Sequence, residues 1–183
     1  MTGDGVTAHD AASRALRGAV RAIPDFPQPG IIFRDITPLL GEAALLAEAV
    51  RAMALPFRDV GITHVAAIES RGFILGSPVA LALDAGFVPI RKPGKLPHAT
   101  RRTEYELEYA SGALEVHADA CSAGARVLVV DDVLATGGTA GAAARLMREL
   151  GAEVVGYAFL IELRGLYGRK RLPGGRVAAV LDY

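Results

Sequence analysis

The stretch VLVVDDVLATGGT, residues 127–139, decides the reading of this 183-residue chain. Val127 to Val130 are consecutive apolar residues and read as a buried strand. Asp131 and Asp132 follow where that strand is expected to end. A loop of small residues comes next, Ala135-Thr136-Gly137-Gly138-Thr139, and then a helix start. Such a loop aims backbone N–H groups and hydroxyls at one point on the positive end of a helix dipole, which suits a phosphate monoester. The two acids cannot favour the phosphate, but they can accept hydrogen bonds from a diol. A ligand with vicinal hydroxyls at one end and a phosphate at the other is a sugar phosphate. An N-capped helix after a tight turn would explain the glycines and Thr136. It would not explain two adjacent carboxylates, which repel and need a compensating partner.

Two other phosphate-binding patterns are excluded. No Gly-Lys-Ser/Thr follows the loop, so it is not a Walker loop. The Gly-x-Gly-x-x-Ala string at residues 3–8 has no strand before it and is no dinucleotide fingerprint.

The wider composition agrees with a small-molecule site. The length fits one domain with a sizeable core. Hydrophobic residues make up 51% and charged residues 22%, the ordinary balance of a globular protein. Lys plus Arg and Asp plus Glu both number 20, so the formal net charge is zero. Nucleic acid or an anionic membrane as partner needs a basic excess, so neither is expected. Cys121 is the single cysteine, which forbids an internal disulfide and favours a reducing compartment. With no signal-like N-terminus, no apolar run of membrane length and no Asn for glycosylation, a soluble cytoplasmic protein is expected. His9, His64, His98 and His117 are scattered without ligand spacing, and no metal site is expected from them.

Outward from the central stretch, apolar strands alternate with helical patterns. Helices are expected over Ala8–Ile23, Ala43–Leu55, Arg71–Leu83, Thr139–Leu150 and Leu163–Arg171. Strands are expected over Val65–Ile68, Phe87–Ile90, Glu153–Ile161 and Arg176–Leu181. DFPQPG at 25–30 must be irregular, and 31–40 continues as an ordered, partly apolar loop. From Arg101 to His117, Glu104, Glu106 and Glu108 alternate with Tyr105, Leu107 and Tyr109. That is the pattern of a half-buried strand, turning at Ser111-Gly112 and returning over Ala113–His117. The fold class is therefore α/β, a parallel sheet flanked by helices with a β-hairpin inserted. Ligands of such sheets bind at the carboxyl ends of strands. Glu69–Gly72, Arg91–Lys95 and Asp131–Thr139 all fall there.

The 127–139 stretch resembles the phosphoribosyl pyrophosphate (PRPP) signature of the type I phosphoribosyltransferase family. Other segments are similar, in order and spacing, to its adenine-using branch, the adenine phosphoribosyltransferases. They are DFPQPGIIFRDITPLL at 25–40, ESRGF at 69–73, RKPGKLP at 91–97, YELEY at 105–109 and IELRGLYGRKRL at 161–172. The resemblance runs from about Ile23 to the end of the chain. It implies one domain over 1–183, with a small N-terminal hood mainly over 8–40 and a flexible hairpin flap over 94–117.

The resemblance also implies roles. Asp131 and Asp132 would hold the ribose 2′- and 3′-hydroxyls, and Ala135, Thr136, Gly137, Gly138 and Thr139 the 5′-phosphate. Ser70 and Arg71 would meet the pyrophosphate beside a non-proline cis peptide at Glu69–Ser70, with Lys92 and Lys95 adding positive charge. On residue type alone, Ser70-Arg71 is equally a helix N-cap with a first-turn cation, and Arg91, Lys92 and Lys95 a solvated basic turn. Glu108 would transfer a proton near adenine N7, and Tyr105 would close with the flap. Main-chain atoms of Ile32 and Arg34 would read the adenine edge while Phe33 and Leu163 pack on its faces. The implied reaction is adenine plus PRPP giving AMP plus pyrophosphate, a step of purine salvage. Mg²⁺ would be held mainly by PRPP oxygens, and the protein would form a homodimer near the Arg71–Leu83 helix. The alternatives are a transferase for xanthine or another purine, and a PRPP-binding purine regulator without catalysis. Glu69 stands where some relatives carry Asp, and Glu104 where a small polar residue is common.

Overall fold

A computed structural model describes residues 4–107 and 110–183. The chain forms two compact units, Met1–Arg51 and Ala52–Tyr183.

The first unit opens with helix α1 (Asp4–Gly18), then an antiparallel pair of short strands, β1 (Arg21–Pro24) and β2 (Ile32–Asp35), and a single helical turn, α2 (Thr37–Gly41). The helix expected to run on to Ile23 therefore stops at Gly18. Pro24 cannot donate within a helix, and residues 21–24 find partners instead across the ladder from Arg21↔Asp35 to Pro24↔Ile32. The 25–30 segment is irregular as expected, carrying a cis Phe26–Pro27 bond. Asp25 Oδ1 closes it by accepting from Gly30 N at 2.8 Å. Residues 31–40, expected to be a loop, contain β2 and α2. Asp35 Oδ1 accepts from both the N–H of Thr37 (2.9 Å) and its hydroxyl (2.6 Å). That satisfies an otherwise orphaned donor at the helix start, and Pro38 follows where a missing N–H costs nothing.

Helix α3 (Ala43–Ala54) leads into the second unit, which is built on a parallel sheet. Its strands are β3 (His64–Ile68), β4 (Gly86–Ile90), β7 (Arg126–Leu134), β8 (Glu153–Glu162) and β9 (Arg176–Asp182), in the order β4-β3-β7-β8-β9. Helix α4 (Arg71–Ala82) links β3 to β4, and helix α5 (Gly138–Glu149) links β7 to β8. The two crossovers step in opposite directions along the sheet, so right-handed connections put their helices on opposite faces. The side chains agree. Val127 and Val129 join the buried cluster that includes Ala143, Leu146 and Met147 of α5. A Cβ on Gly76 of α4 would instead meet Ala67 and Val130. Both faces are covered, which explains the unbroken apolar run in β7.

Between β3 and β7 the strand order reverses. The crevice at that reversal is where ligands of open α/β sheets bind. The β3–β7 ladder ends at Ala67↔Val130, whereas β7 stays paired with β8 through Leu134↔Glu162. Asp131 and Asp132 are thus inside the strand, a correction to the expectation that it ends before them. They have lost their neighbour on the β3 side only, which leaves an opening there.

The expected hairpin is β5 (Thr100–Leu107) and β6 (Ala110–His117), but its turn is not at Ser111-Gly112. The register pairs Leu107 with Ala110, Glu106 with Ser111 and Tyr105 with Gly112. Gly112 is a mid-strand residue with a packing reason: a Cβ there would sit 2.6 Å from Tyr105 Cζ. The tyrosine ring lies across the bare glycine, as aromatic residues often do over sheet glycines. Leu114 and Val116 anchor the returning strand in the core. The segment 163–171, expected to be helical, forms two 3₁₀ turns, Arg164–Leu166 and Gly168–Arg171, broken at left-handed Tyr167 (φ 53°).

Candidate active site

Three chain segments converge at the sheet reversal: the β3–α4 connection, the end of β4 and the end of β7. Together with Tyr105 of β5 they enclose a cleft of about 380 Å³ lined by Ile68, Glu69, Ser70, Arg71, Lys92, Tyr105, Asp131, Asp132 and Thr139. A smaller cavity of about 110 Å³ adjoins it, sharing Asp131 and Thr139 and lined also by Ala135, Thr136 and Gly137. Acids therefore lie between a cationic end and a loop of amides and hydroxyls.

The β3–α4 segment supplies the cationic end. The Glu69–Ser70 peptide is cis, at the position implied by the sequence resemblance. Ser70 occupies the helix N-cap position without a side-chain capping bond. Arg71 Nε stands 2.7 Å from Asp132 Oδ2. The contact is an ion pair rather than an aligned hydrogen bond, because Oδ2 accepts none from the described residues. Gly72 lets the start of α4 pack closely on β7, since a Cβ there would lie 2.8 Å from Asp131 Oδ1.

The Asp131-Asp132 pair is held under electrostatic load. Asp132 is 4% exposed. Burial raises its pKa, opposed chiefly by the Arg71 charge. Asp131 keeps some surface open to the cleft although protein encloses its carboxyl. Its pKa is pushed well above the ordinary carboxylate value, first by burial and then by the charge on Asp132. The backbone N–H of Asp132 donates to Asp131 Oδ1 at 2.9 Å. Two desolvated acids with one cation between them gain from any ligand that brings hydroxyl donors.

The loop after β7 is held by a backbone contact that sequence reading missed. Gly137 adopts a left-handed conformation (φ 81°) that favours glycine. Across from it, a Cβ on Gly168 would run into the Ala135 carbonyl oxygen. The 3₁₀ turn at 168–171 thus braces the loop backbone to backbone. Nothing local in the sequence marks Gly168, because the close approach is tertiary.

The β4 end is organised by Arg91. Its Nε donates to Glu69 Oε2 at 2.7 Å, and a terminal nitrogen donates to the Lys95 carbonyl at 3.0 Å. Glu115 Oε2 accepts from Gly94 N at 3.0 Å. This network ties the β3–α4 segment to the base of the hairpin. Lys92 lines the cleft, whereas Lys95 contributes its carbonyl to the network and does not line the cleft.

The lining of the cleft does not include the remaining sequence candidates. Gly138 begins α5 and lines an adjacent cavity, which shares Gly137 with the loop cavity and Tyr105 with the cleft. Ile32, Phe33 and Arg34 are consecutive residues of β2 in the first unit, where Phe33 meets Phe26 edge-on with ring centroids 5.2 Å apart. Leu163, in the second unit, follows β8 and donates its N–H to the Leu134 carbonyl at 2.9 Å. Glu108 lies outside the described residues. Among the described residues no three His, Cys, Asp or Glu side chains gather as a metal-binding set.

Comparison with known proteins converges on one family. The model for the phosphoribosyl transferase domain matches residues 41–173. An adenine phosphoribosyltransferase of Acaryochloris marina is 54% identical over 92% of this chain and 99% of its own length. One from Myxococcus xanthus is 54% identical over 92% of this chain and 91% of its own. The crystal structure of the Rhodothermus marinus adenine phosphoribosyltransferase superposes with a TM-score of 0.90 at 55% identity, covering 95% of this chain and 99% of that one. The Saccharomyces cerevisiae enzyme, solved with an imino-altritol bisphosphate and adenine, gives 0.89 at 39% identity, covering 93% and 99%. The chain belongs to the phosphoribosyltransferase family, in its adenine phosphoribosyltransferase branch.

Proposed function

We propose that this chain transfers the 5-phosphoribosyl group of PRPP to adenine, giving AMP and pyrophosphate in purine salvage. The observation that carries the reading is the cleft in which Arg71, Lys92, Asp131, Asp132 and Thr139 meet, opening on the cavity lined by Ala135, Thr136 and Gly137. A diol between a pyrophosphate and a phosphate matches that sequence of cations, acids and amides.

In this reading Asp131 and Asp132 accept from the two ribose hydroxyls, which supplies a donor to Asp132 Oδ2, an atom that accepts none from the described residues. Ala135 to Thr139 hold the 5′-phosphate, Gly138 as part of the helix start. Ser70, Arg71, Lys92 and Lys95 serve the pyrophosphate. Two anionic carboxylates beside the anomeric centre also favour the positive charge that grows there as the C–O bond breaks. Glu108 exchanges a proton near adenine N7 so that N9 attacks, and Tyr105 excludes water as the flap closes. Main-chain atoms of Ile32 and Arg34 read the adenine edge, with Phe33 and Leu163 on its faces. A carbonyl facing the exocyclic amine rejects an oxopurine. Mg²⁺ fits a site whose nearby donors are hard carboxylate oxygens, Asp131 and Asp132. PRPP oxygens would hold most of it, and it would offset pyrophosphate charge there.

The whole chain acts as one phosphoribosyltransferase domain in the cytoplasm, consistent with its single cysteine. No described helix is long and apolar enough to cross a membrane. A homodimer forms through the outer side of α4, where Ile74 and Leu81 are exposed, the latter 82%, near half-exposed Phe87.

The test is nucleotide formation from PRPP and Mg²⁺ with adenine, hypoxanthine, guanine or xanthine offered separately. AMP from adenine alone is expected. Product from an oxopurine would overturn the base assignment. PRPP binding without product from any base would mean a regulator.

A further inference from the structure

Beside the cleft, and sharing Tyr105 with it, a cavity of about 480 Å³ lies where the hairpin meets α5, lined by Glu104, Tyr105, Gly137, Gly138, Gly141, Arg145 and Arg171. Gly138, Gly141 and Arg145 fall three, then four residues apart and share one face of the helix. The first two carry no side chain to fill the gap. The third bonds beside it: an Arg145 terminal nitrogen donates to the Glu104 carbonyl at 3.1 Å.

The hairpin is thus held differently along its length. Its base is fixed by buried Leu114 and Val116 and by the Arg91–Glu115 backbone bridge. Further out, β5 packs on α5 and Tyr105 on the core cluster, and Arg145 adds a hydrogen bond beside the cavity. Glu104 immediately precedes Tyr105, which lines the cleft and covers Gly112. Arg145 itself stands on the helix whose first turn begins in the loop after β7.

We propose that Arg145 is a positioning residue, a polar latch that fixes strand β5 to the phosphate-loop helix and so sets Tyr105 over the cleft. The proposal rests on the reading of the cleft as a phosphoribosyl-transfer site. Guanidinium suits the task because it stays charged and offers a rigid fork of donors to a carbonyl. A hydrogen bond from a charged group is strong enough to bias the hairpin and weak enough to open in each turnover. Opened, the hairpin admits water, and water competes with adenine for the phosphoribosyl centre.

The experiment compares wild type with Arg145→Ala and Arg145→Lys. Three quantities are read: the ratio of PRPP hydrolysis to AMP formation, the rate of tryptic cleavage after Arg101 and Arg102, and the melting temperature. Arg145 is exposed on its helix, and alanine is the better helix former, so the fold is retained. Arg145→Ala is expected to raise the hydrolysis ratio and the cleavage rate each about tenfold, the low end for a charged hydrogen bond. The melting temperature should hold, and lysine should fall between. An active wild type whose alanine variant partitions as it does overturns the latch, whether or not cleavage accelerates. Wild-type protein that forms no AMP overturns the proposed function instead, a distinguishable result.

Discussion

Arg71, the first residue of α4, stands 2.7 Å from the buried Oδ2 of Asp132 at the far end of β7. One ion pair thus joins the cationic end of the cleft to its acidic centre. Without it, Asp132 would be a buried charge with nothing opposite. Arg71→Ala should cost about 1–2 kcal/mol of stability, less than a fully enclosed pair because the arginine is 40% exposed. It should also raise the PRPP Michaelis constant. Adding Asp132→Asn should restore stability without restoring activity. Urea unfolding and steady-state kinetics on the single and double variants check this. A double variant no more stable than Arg71→Ala would mean the pair does not govern stability.

Asp131 carries the opposite liability. Its pKa is raised by burial and by Asp132, so the folded state binds its proton more tightly than the unfolded state does. The stability it contributes is fully present below the unfolded value, about 4, and is lost as pH rises through the folded value. Asp131→Asn should therefore match wild type near pH 4 and be the more stable of the two at neutral pH and above. PRPP binding should fall sharply. Thermal melts across pH, with and without PRPP, separate the two effects. A variant less stable than wild type at neutral pH would contradict the argument.

How far the sequence reaches is visible in these residues. The run Val127–Val130 implies a strand covered on both faces, and two acids after it imply a ligand, because both follow from chemistry local to the chain. The parallel sheet and the helices α3, α4 and α5 follow from periodicity in the same way. What escapes is set by tertiary partners. The strand outlasts its apolar run because β8 continues beside it after β3 has stopped. Gly112 looks like a turn until Tyr105 is seen to cover it. Residues 21–24 read as helix until 32–35 offer a ladder. Gly168 and the Arg91–Glu69 pair carry no local signal at all.

Gly168 tests whether the brace on the phosphate loop matters. A Cβ there points into the Ala135 carbonyl, backbone against backbone, with no flexible side chain to yield. Gly168→Ala should displace the loop, at a cost of about 1–3 kcal/mol in stability. The PRPP Michaelis constant should rise roughly tenfold to a hundredfold, as misplaced contacts usually require. The adenine constant should change less. A crystal structure of the variant with phosphate bound would show whether residues 135–139 have moved. An unmoved loop with wild-type kinetics would show that α5 and β7 position it without help.

Arg101 and Arg102 are both exposed on β5, and Arg102 makes a 3.3 Å ion pair with Glu104. An exposed pair of this kind adds little to stability. Its positive neighbours can still draw an anion as charged as PRPP toward the cleft, an effect that weakens with ionic strength. Replacing both arginines by alanine should leave the melting temperature within about a degree or two of wild type, as for most surface changes. The kcat/KM for PRPP should drop several-fold at low salt, and its salt dependence should flatten. The adenine constant should not change, because adenine is neutral. Steady-state kinetics between low and physiological ionic strength decide the matter: an unchanged PRPP constant with an unchanged salt slope removes any steering role from the two residues.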